Sequence, residues 1–150
     1  MRVPLFLQEQ RVPFETIIHP PAFTAQKRAK YLGIPGRFVV KAVLLAGPEE
    51  YLVAVLPATH HVDTAALAAH LGGPVRLAEP QEMADLFMDC EFGVVPSFGS
   101  LYGVPTVIDD TLDRDGLLVF EGHTHAEAFR LRCRDFERLT HAVRLSFARP

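Results

Sequence analysis

One lysine stands inside the most apolar stretch of the chain. Residues 38–45 read FVVKAVLL, a run of β-branched and apolar side chains that predicts a strand, and Lys41 is its single charge. Side chains alternate across a strand, so Lys41 shares a face with Val39 and Val43. If that face is the core, the ammonium is buried at high cost unless it lines a cavity or meets a ligand. If it is the open face, Lys41 is a solvated or snorkelling side chain. A second place for chemistry is the segment GVVPSFGSLYG at residues 93–103. Glycines there let backbone N–H groups come close to a ligand, because no Cβ intervenes. The segment is no P-loop, since GxxxxGK[ST] is missing, and the same composition also serves a plain structural turn.

Other catalytic arrangements find little support. Among the seven histidines, His123-x-His125 would put two imidazoles on one strand face. HExxH and the H-x-E with P-C-x-x-C pair are both absent, so zinc hydrolase and deaminase signatures are missing, and no metal or cofactor is expected. No GxSxG elbow occurs. Cys90 lies between Asp89 and Glu91, carboxylates that raise a thiol pKa. Ser97 and Ser100 have no base assigned to them by sequence. Asp109-Asp110 reads as turn and cap chemistry after a strand.

The elements that must position these residues alternate strands with helical excursions. A short helix over residues 4–10 precedes a strand at 14–18 (FETII), which His19-Pro20-Pro21 stops. Thr24 caps a helix running to about Leu32, with Gly33 as its C-terminal stop. The Lys41 strand turns at Gly47-Pro48 and returns as YLVAVL, residues 51–56, in an antiparallel hairpin. Asp63 caps a helix over 64–71 that ends at Gly72-Gly73. A short strand at 74–78 and a helix over 80–87, with Met83, Leu86 and Phe87 on one face, lead to the Gly-rich loop. Strands follow at 104–109 and 117–120. Phe129, Leu131 and Cys133 alternate with Arg130 and Arg132 as a half-exposed strand, and residues 135–141 form a last short helix. This order predicts an α+β domain with a mixed, curved sheet and helices around it.

Length and composition set the outer bounds. The 150 residues, 49% hydrophobic and 22% charged, fit one globular domain over 1–150. A net charge of −3 is not the footprint of a protein that grips duplex DNA through many phosphates. Local contact with RNA stays open through Lys27, Arg28 and Lys30 or through Arg130, Arg132 and Arg134, although such runs usually face water. Cys90 and Cys133 form no CxxC and read as reduced thiols. The N-terminus lacks the apolar core of a signal peptide, and no run approaches the roughly 18 apolar residues needed to span a bilayer. A cytoplasmic protein without membrane association is expected.

The order of these features resembles the YbaK/prolyl-tRNA-editing family of aminoacyl-tRNA deacylases. His19-Pro20 and Thr24 come first, then Leu32-Gly33-Ile34, the lysine strand VVKAVLL, Leu56-Pro57, Val62-Asp63 and Leu71-Gly72. DCEFGVVPSFGSLYGVPTVID follows, with a strand leading to Gly122-His123; the likeness spans residues 12–140. It implies a barrel-like, curved mixed sheet and hydrolysis of the ester that joins a wrong, small amino acid such as alanine to the 3′ end of a tRNA such as a proline tRNA. The partners it implies are that aminoacylated end and an aminoacyl-tRNA synthetase. Lys41 matches the family's key lysine, with the role of binding the terminal phosphate or orienting the substrate. Gly93 opens the G-x-x-x-P loop, whose backbone approaches the ester and places water. Val94, Pro96 and Ser97 continue that loop as substrate contacts, and His19, Thr24 and His123 match positions around the pocket. No protein nucleophile is then required: a ribose hydroxyl helps activate water, and positioning supplies the rest. One departure stands out. The motif's fifth residue is proline, and here it is Ser97, with Pro96 one place early, which alters the loop and restores an N–H donor. A binding module that kept the pocket and lost turnover, or a hydrolase for other small esters or amides, are the competing readings.

Overall fold

The computed structural model describes residues 2–150. Its helices begin and end where the chain supplies caps. α1 (Arg2–Glu9) places Val3 and Leu7, one turn apart, in the core. After β1 (Glu15–Ile18) comes α2 (Ala25–Leu32), where the Thr24 side chain accepts from Lys27 N at 3.0 Å and Gly33 closes the helix at φ 64°. A 3-10 turn at Gly36–Phe38 leads into β2 (Val40–Ala46), which pairs antiparallel with β3 (Tyr51–Pro57) so that Lys41 lies opposite Leu56. β4 (His61–Val62), α3 (Thr64–Leu71, capped by Asp63), β5 (Arg76–Leu77) and α4 (Pro80–Leu86) follow. Past the 89–103 loop come β6 (Thr106–Asp109), β7 (Leu117–Glu121), β8 (Glu127–Arg132), α5 (Cys133–Thr140), β9 (Val143–Leu145) and β10 (Ala148–Arg149).

The strands form three sheets. One runs β5-β2-β3-β6-β9, with β3–β6 and β6–β9 parallel and the other pairs antiparallel. A second is β1-β8-β7, and the third pairs β10 with β4. This corrects the expected barrel: no sheet closes on itself, and the five- and three-stranded sheets meet through a single bridge, Val39 to Val119. The two sheets instead face each other across the main core. Val40, Leu44, Val53, Val55 and Ile108 meet Phe120 and Phe129 there, with Phe98 and Phe136 between them and α1 closing one side. Phe136 stacks on Phe120 at 4.4 Å and meets Phe98 edge-on at 5.0 Å. The opposite face of β2 and β3 buries Leu45, Leu52, Ala54 and Leu56 beneath Leu67 of α3 and Phe147.

Three other expectations shift. Cys133 is not the end of a strand but the first residue of α5. The residues after α5, for which no element was expected, add β9 and β10. They are held by Asp109, which accepts from Phe147 N at 2.9 Å and Ala148 N at 2.8 Å and also from Thr111. Burial opposes ionisation of Asp109, but these hydrogen bonds outweigh it and hold the carboxyl below its ordinary value. Arg28, expected on a solvated surface with Lys27 and Lys30, is 1% exposed. No helix among the described residues is long and apolar enough to cross a membrane.

Candidate functional site

Lys41 sits near the start of β2, on the face whose later members, Val43 and Leu45, pack beneath α3. There its side chain borders a cavity of about 300 Å³ instead of the core. Nζ lies 3.3 Å from the His60 carbonyl oxygen and 3.4 Å from His61 Nδ1. No carboxylate among the described residues pairs with it, and burial lowers its pKa.

A second wall of the cavity is the start of α2, from Phe23 to Gln26. The first N–H groups of a helix have no intrahelical partner. The Thr24 hydroxyl takes up that of Lys27, Arg28 N–H makes the first helical bond to the Thr24 carbonyl oxygen, and Ala25 and Gln26 line the cavity. Lys41 and this helix end together form a positive side suited to an anion.

The third wall is the Gly-rich loop. Gly93 lines the cavity with φ +87°, a conformation that L side chains rarely adopt. Beyond it Val95 lines the cavity, whereas Val94, Pro96 and Ser97 are buried away from the lining. Ser97 is fully buried and its hydroxyl has no hydrogen-bond partner. His125 holds the loop in place: Nε2 lies 2.9 Å from the Phe92 carbonyl oxygen, and the ring packs against Phe23 at 4.6 Å. The loop is thereby tied to the wall across from it.

Glu121, the last residue of β7, supplies the negative side. Its side chain is 15% exposed and stands 3.5 Å from Arg28 Nη2. Burial pushes the carboxyl up to about 7, against the pull of Arg28 and His125. Arg28 Nε donates to His19 Nε2 at 3.1 Å. Because a guanidinium only donates, Nε2 must accept, so Nδ1 carries the proton and donates to the Pro20 carbonyl oxygen at 2.8 Å. His19 is thus outside the lining, behind Arg28, and fixes the arginine that faces Glu121.

His123 also departs from its expected place. It is 1% exposed and lies outside the cavity lining. Nε2 accepts from Val3 N at 3.2 Å, while Nδ1 faces Cys90 Sγ at 3.5 Å, Tyr102 Oη at 3.5 Å and Asp89 Oδ2 at 3.8 Å. The turn between β7 and β8 sends the His123 and His125 rings to different partners, so the two imidazoles do not share a strand face. Asp89, Cys90 and His123 bring ligand atoms within 4.8 Å of one another. With Nε2 accepting from a backbone N–H, however, Nδ1 of neutral His123 bears the proton and has no lone pair for a metal. Burial pushes the Cys90 thiol up to about 12, so it is no thiolate nucleophile at neutral pH.

The structure therefore brings Lys41, Gly93 and Thr24 to one cavity and leaves His19, Val94, Pro96, Ser97 and His123 behind it or beside it. Sequence reasoning missed Glu121 and gave Arg28 and His125 other parts, one in a surface basic run and the other in an imidazole pair. A signal for Glu121 was present: a carboxylate ends the apolar strand LLVFE, the same anomaly that marks Lys41. A second cavity, of about 320 Å³ beside β3, β6 and β9, is lined by apolar residues with Glu49 and Glu50 and has no basic side chain.

Comparison with known proteins assigns the chain to a family. A "Proline--tRNA ligase" of Thermotoga sp. (strain RQ2) is 31% identical over 98 residues, 65% of this chain, and the match spans only 16% of that ligase. The "Multifunctional Ser/Thr-tRNA deacylase ProXp-y" of Escherichia coli (strain K12) is 25% identical across 99% of this chain and 92% of its own length. The crystal structure of a candidate trans-editing enzyme for prolyl tRNA synthetase superposes with a TM-score of 0.86 at 22% identity, covering 99% of this chain and 96% of that one; at that identity the likeness shows the fold. The model of the aminoacyl-tRNA editing domain matches residues 19–139, more than half of the sequence, and the chain belongs to that family.

Proposed function

We propose that this chain is a trans-acting editing hydrolase that cleaves the ester between a small amino acid and the 3′ end of a mischarged tRNA. The observation that carries the reading is the meeting of Lys41 and Gly93 in one cavity, with the start of α2 beside them. Lys41 and the free N–H groups of α2 hold the phosphate of the terminal nucleotide. The backbone at Gly93 approaches the ester and positions a water. The water oxygen adds to the ester carbonyl carbon, the tetrahedral intermediate collapses with cleavage of the acyl C–O bond, and the ribose oxygen leaves with a proton. A neighbouring ribose hydroxyl assists the proton transfer, so the chain needs no nucleophile of its own. The placement of Cys90 outside the cavity agrees with that.

The substrates to try first are small side chains. The cavity is about 300 Å³ in all, and the relatives are named for Ser/Thr-tRNA deacylation and for proline tRNA ligation. Alanine on a proline tRNA is our first choice, with serine and threonine esters beside it and a prolyl-tRNA synthetase as the partner that releases the substrate. The test is deacylation of a panel of Ala-, Ser- and Thr-charged tRNAs by the wild type and Lys41→Ala. Release of amino acid by the wild type and its loss in the variant is the expected result. A wild type that clears no member of the panel overturns the reading.

A further inference from the structure

The cavity is electrically two-sided. Lys41 and the N-terminus of α2 make one side positive, and Glu121 is the single acidic side chain among its described lining residues. Among the described residues only Arg28 pairs with the Glu121 carboxylate, with Nη2 3.5 Å from Oε1, although such a group has room for about four hydrogen bonds. That contact is long for a hydrogen bond. The rest of the carboxylate's accepting capacity has no side-chain partner among the described residues. A buried carboxylate with free lone pairs facing a cavity calls for a cationic donor from the ligand.

We infer that Glu121 receives the α-ammonium group of the aminoacyl ligand, so that the cavity selects acyl groups bearing a free α-amine. A phosphate and an ammonium held apart by a ribose and one short acyl linkage are the charges that an aminoacylated nucleotide carries, and they match the two sides of the cavity in sign. The inference deepens the proposed function and rests on it for the identity of the ligand. The raised pKa of Glu121 agrees with it: burial disfavours the charged carboxylate, and an arriving ammonium favours it. Arg28 and His125 already act on the carboxyl, and Lys41 and His61 line the same cavity. Acyl groups with a blocked amine, as in N-acetylated or peptidyl esters, would bury Glu121 opposite a neutral amide and are disfavoured.

The test uses a ligand that cannot be hydrolysed: 3′-amino-3′-deoxyadenosine 5′-phosphate acylated with alanine through an amide, and its N-acetyl form. Calorimetry on the full chain reads binding of each to wild type, Glu121→Gln and Glu121→Asp. The wild type is expected to favour the free amine by about ten-fold or more. The ratio falls toward one in Glu121→Gln and is partly kept in Glu121→Asp, with thermal unfolding confirming that both variants fold. Equal affinity of wild type for the two analogues, failure to bind either, or an unchanged ratio in Glu121→Gln overturns the inference. So does a Glu121→Gln protein that keeps the ten-fold ratio and loses only turnover, for then Glu121 acts on water. Amine discrimination without any deacylation leaves the inference standing and removes the proposed hydrolysis. Deacylation that is indifferent to N-acetylation and to Glu121→Gln does the reverse.

Discussion

Two polar clusters lie on either side of the segment that leads into Gly93, and they are finished differently. In the first, Tyr102 donates to Asp89 at 2.5 Å, Arg2 pairs with Asp89, Cys90 meets His123, and the far side of the His123 ring accepts from Val3 N. Its groups are satisfied by one another, and together they moor α1 to the 89–102 loop. In the second, Lys41 has no carboxylate partner among the described residues, and the Glu121 carboxylate has one long contact, to Arg28 Nη2 at 3.5 Å. Both clusters hold histidine and carboxylate, so residue type does not separate them. What separates them is the unspent hydrogen-bonding capacity beside an open volume, and that marks the second as the place for a ligand.

The largest effect that should divide the clusters is on turnover. Lys41→Ala is expected to lower deacylation by about 10²-fold or more, the scale of losing one preorganised electrostatic contact. Stability should hardly move, because the side chain pays for desolvation without an ion-pair partner. Single-turnover rates beside thermal unfolding would check both halves; a stable variant with full turnover would remove Lys41 from the site. The closed cluster should respond in the opposite sense. His123→Ala leaves a cavity and an orphaned Val3 N–H and is expected to cost about 2–4 kcal/mol by denaturant unfolding, with deacylation per folded molecule little changed. A loss of turnover larger than the loss of folded protein would return His123 to the catalytic site.

A pH profile sharpens the same contrast through Glu121. Its folded pKa of about 7 lies above the ordinary carboxyl value of 4.5, so the folded chain holds more protons than the unfolded chain between those limits. Stability from this group is fully present below about 4.5 and is lost as pH rises toward 7, a fall of roughly 2–3 kcal/mol. In Glu121→Gln that slope should be absent. The lowered carboxyls of Asp89 and Asp109 act the other way, contributing above their unfolded values and failing as pH drops through their depressed ones. Their share therefore appears on the acid side of the Glu121 window, below the ordinary value of 3.8, and unfolding curves from about pH 2 to 8 on the two proteins separate them.

How much of this was legible in the sequence depended on how local the cause was. The caps at Thr24 and Asp63 and the stops at Gly33 and Gly72 involve residues within a turn of one another, and all four are where the chain predicts them. Lys41 was legible because seven apolar neighbours make one charge conspicuous. Arg28 was not: it stands between Lys27 and Lys30 on a polar helix, and only packing against His19 and Glu121, from segments far apart in sequence, buries it. His123 and His125 are two residues apart, yet the turn after β7 aims one at α1 and the other at the Gly93 loop. The open sheets were hidden for the same reason, since closure depends on which distant strands pair, and β7 chose β8 over β2 except at Val39.

Ser97 gives the smallest expected effect and the finest probe of the loop. The family motif has proline there, and the sequence suggested that the exchange would matter because it restores a backbone donor. In the structure the hydroxyl is the conspicuous part, fully buried with no partner, and the residue is outside the cavity lining. Removing an orphaned hydroxyl relieves a desolvation cost, so Ser97→Ala is expected to raise stability by up to about 1 kcal/mol and to leave deacylation within two-fold, on the order of 0.4 kcal/mol in the barrier. Differential unfolding read beside turnover decides the matter. A stabilised variant with normal turnover makes Ser97 a tolerated irregularity of the loop's packing. A variant that loses turnover without losing stability would mean that the hydroxyl turns toward the substrate when the cavity is filled, and the boundary between the closed and the open regions would have to be moved past Ser97.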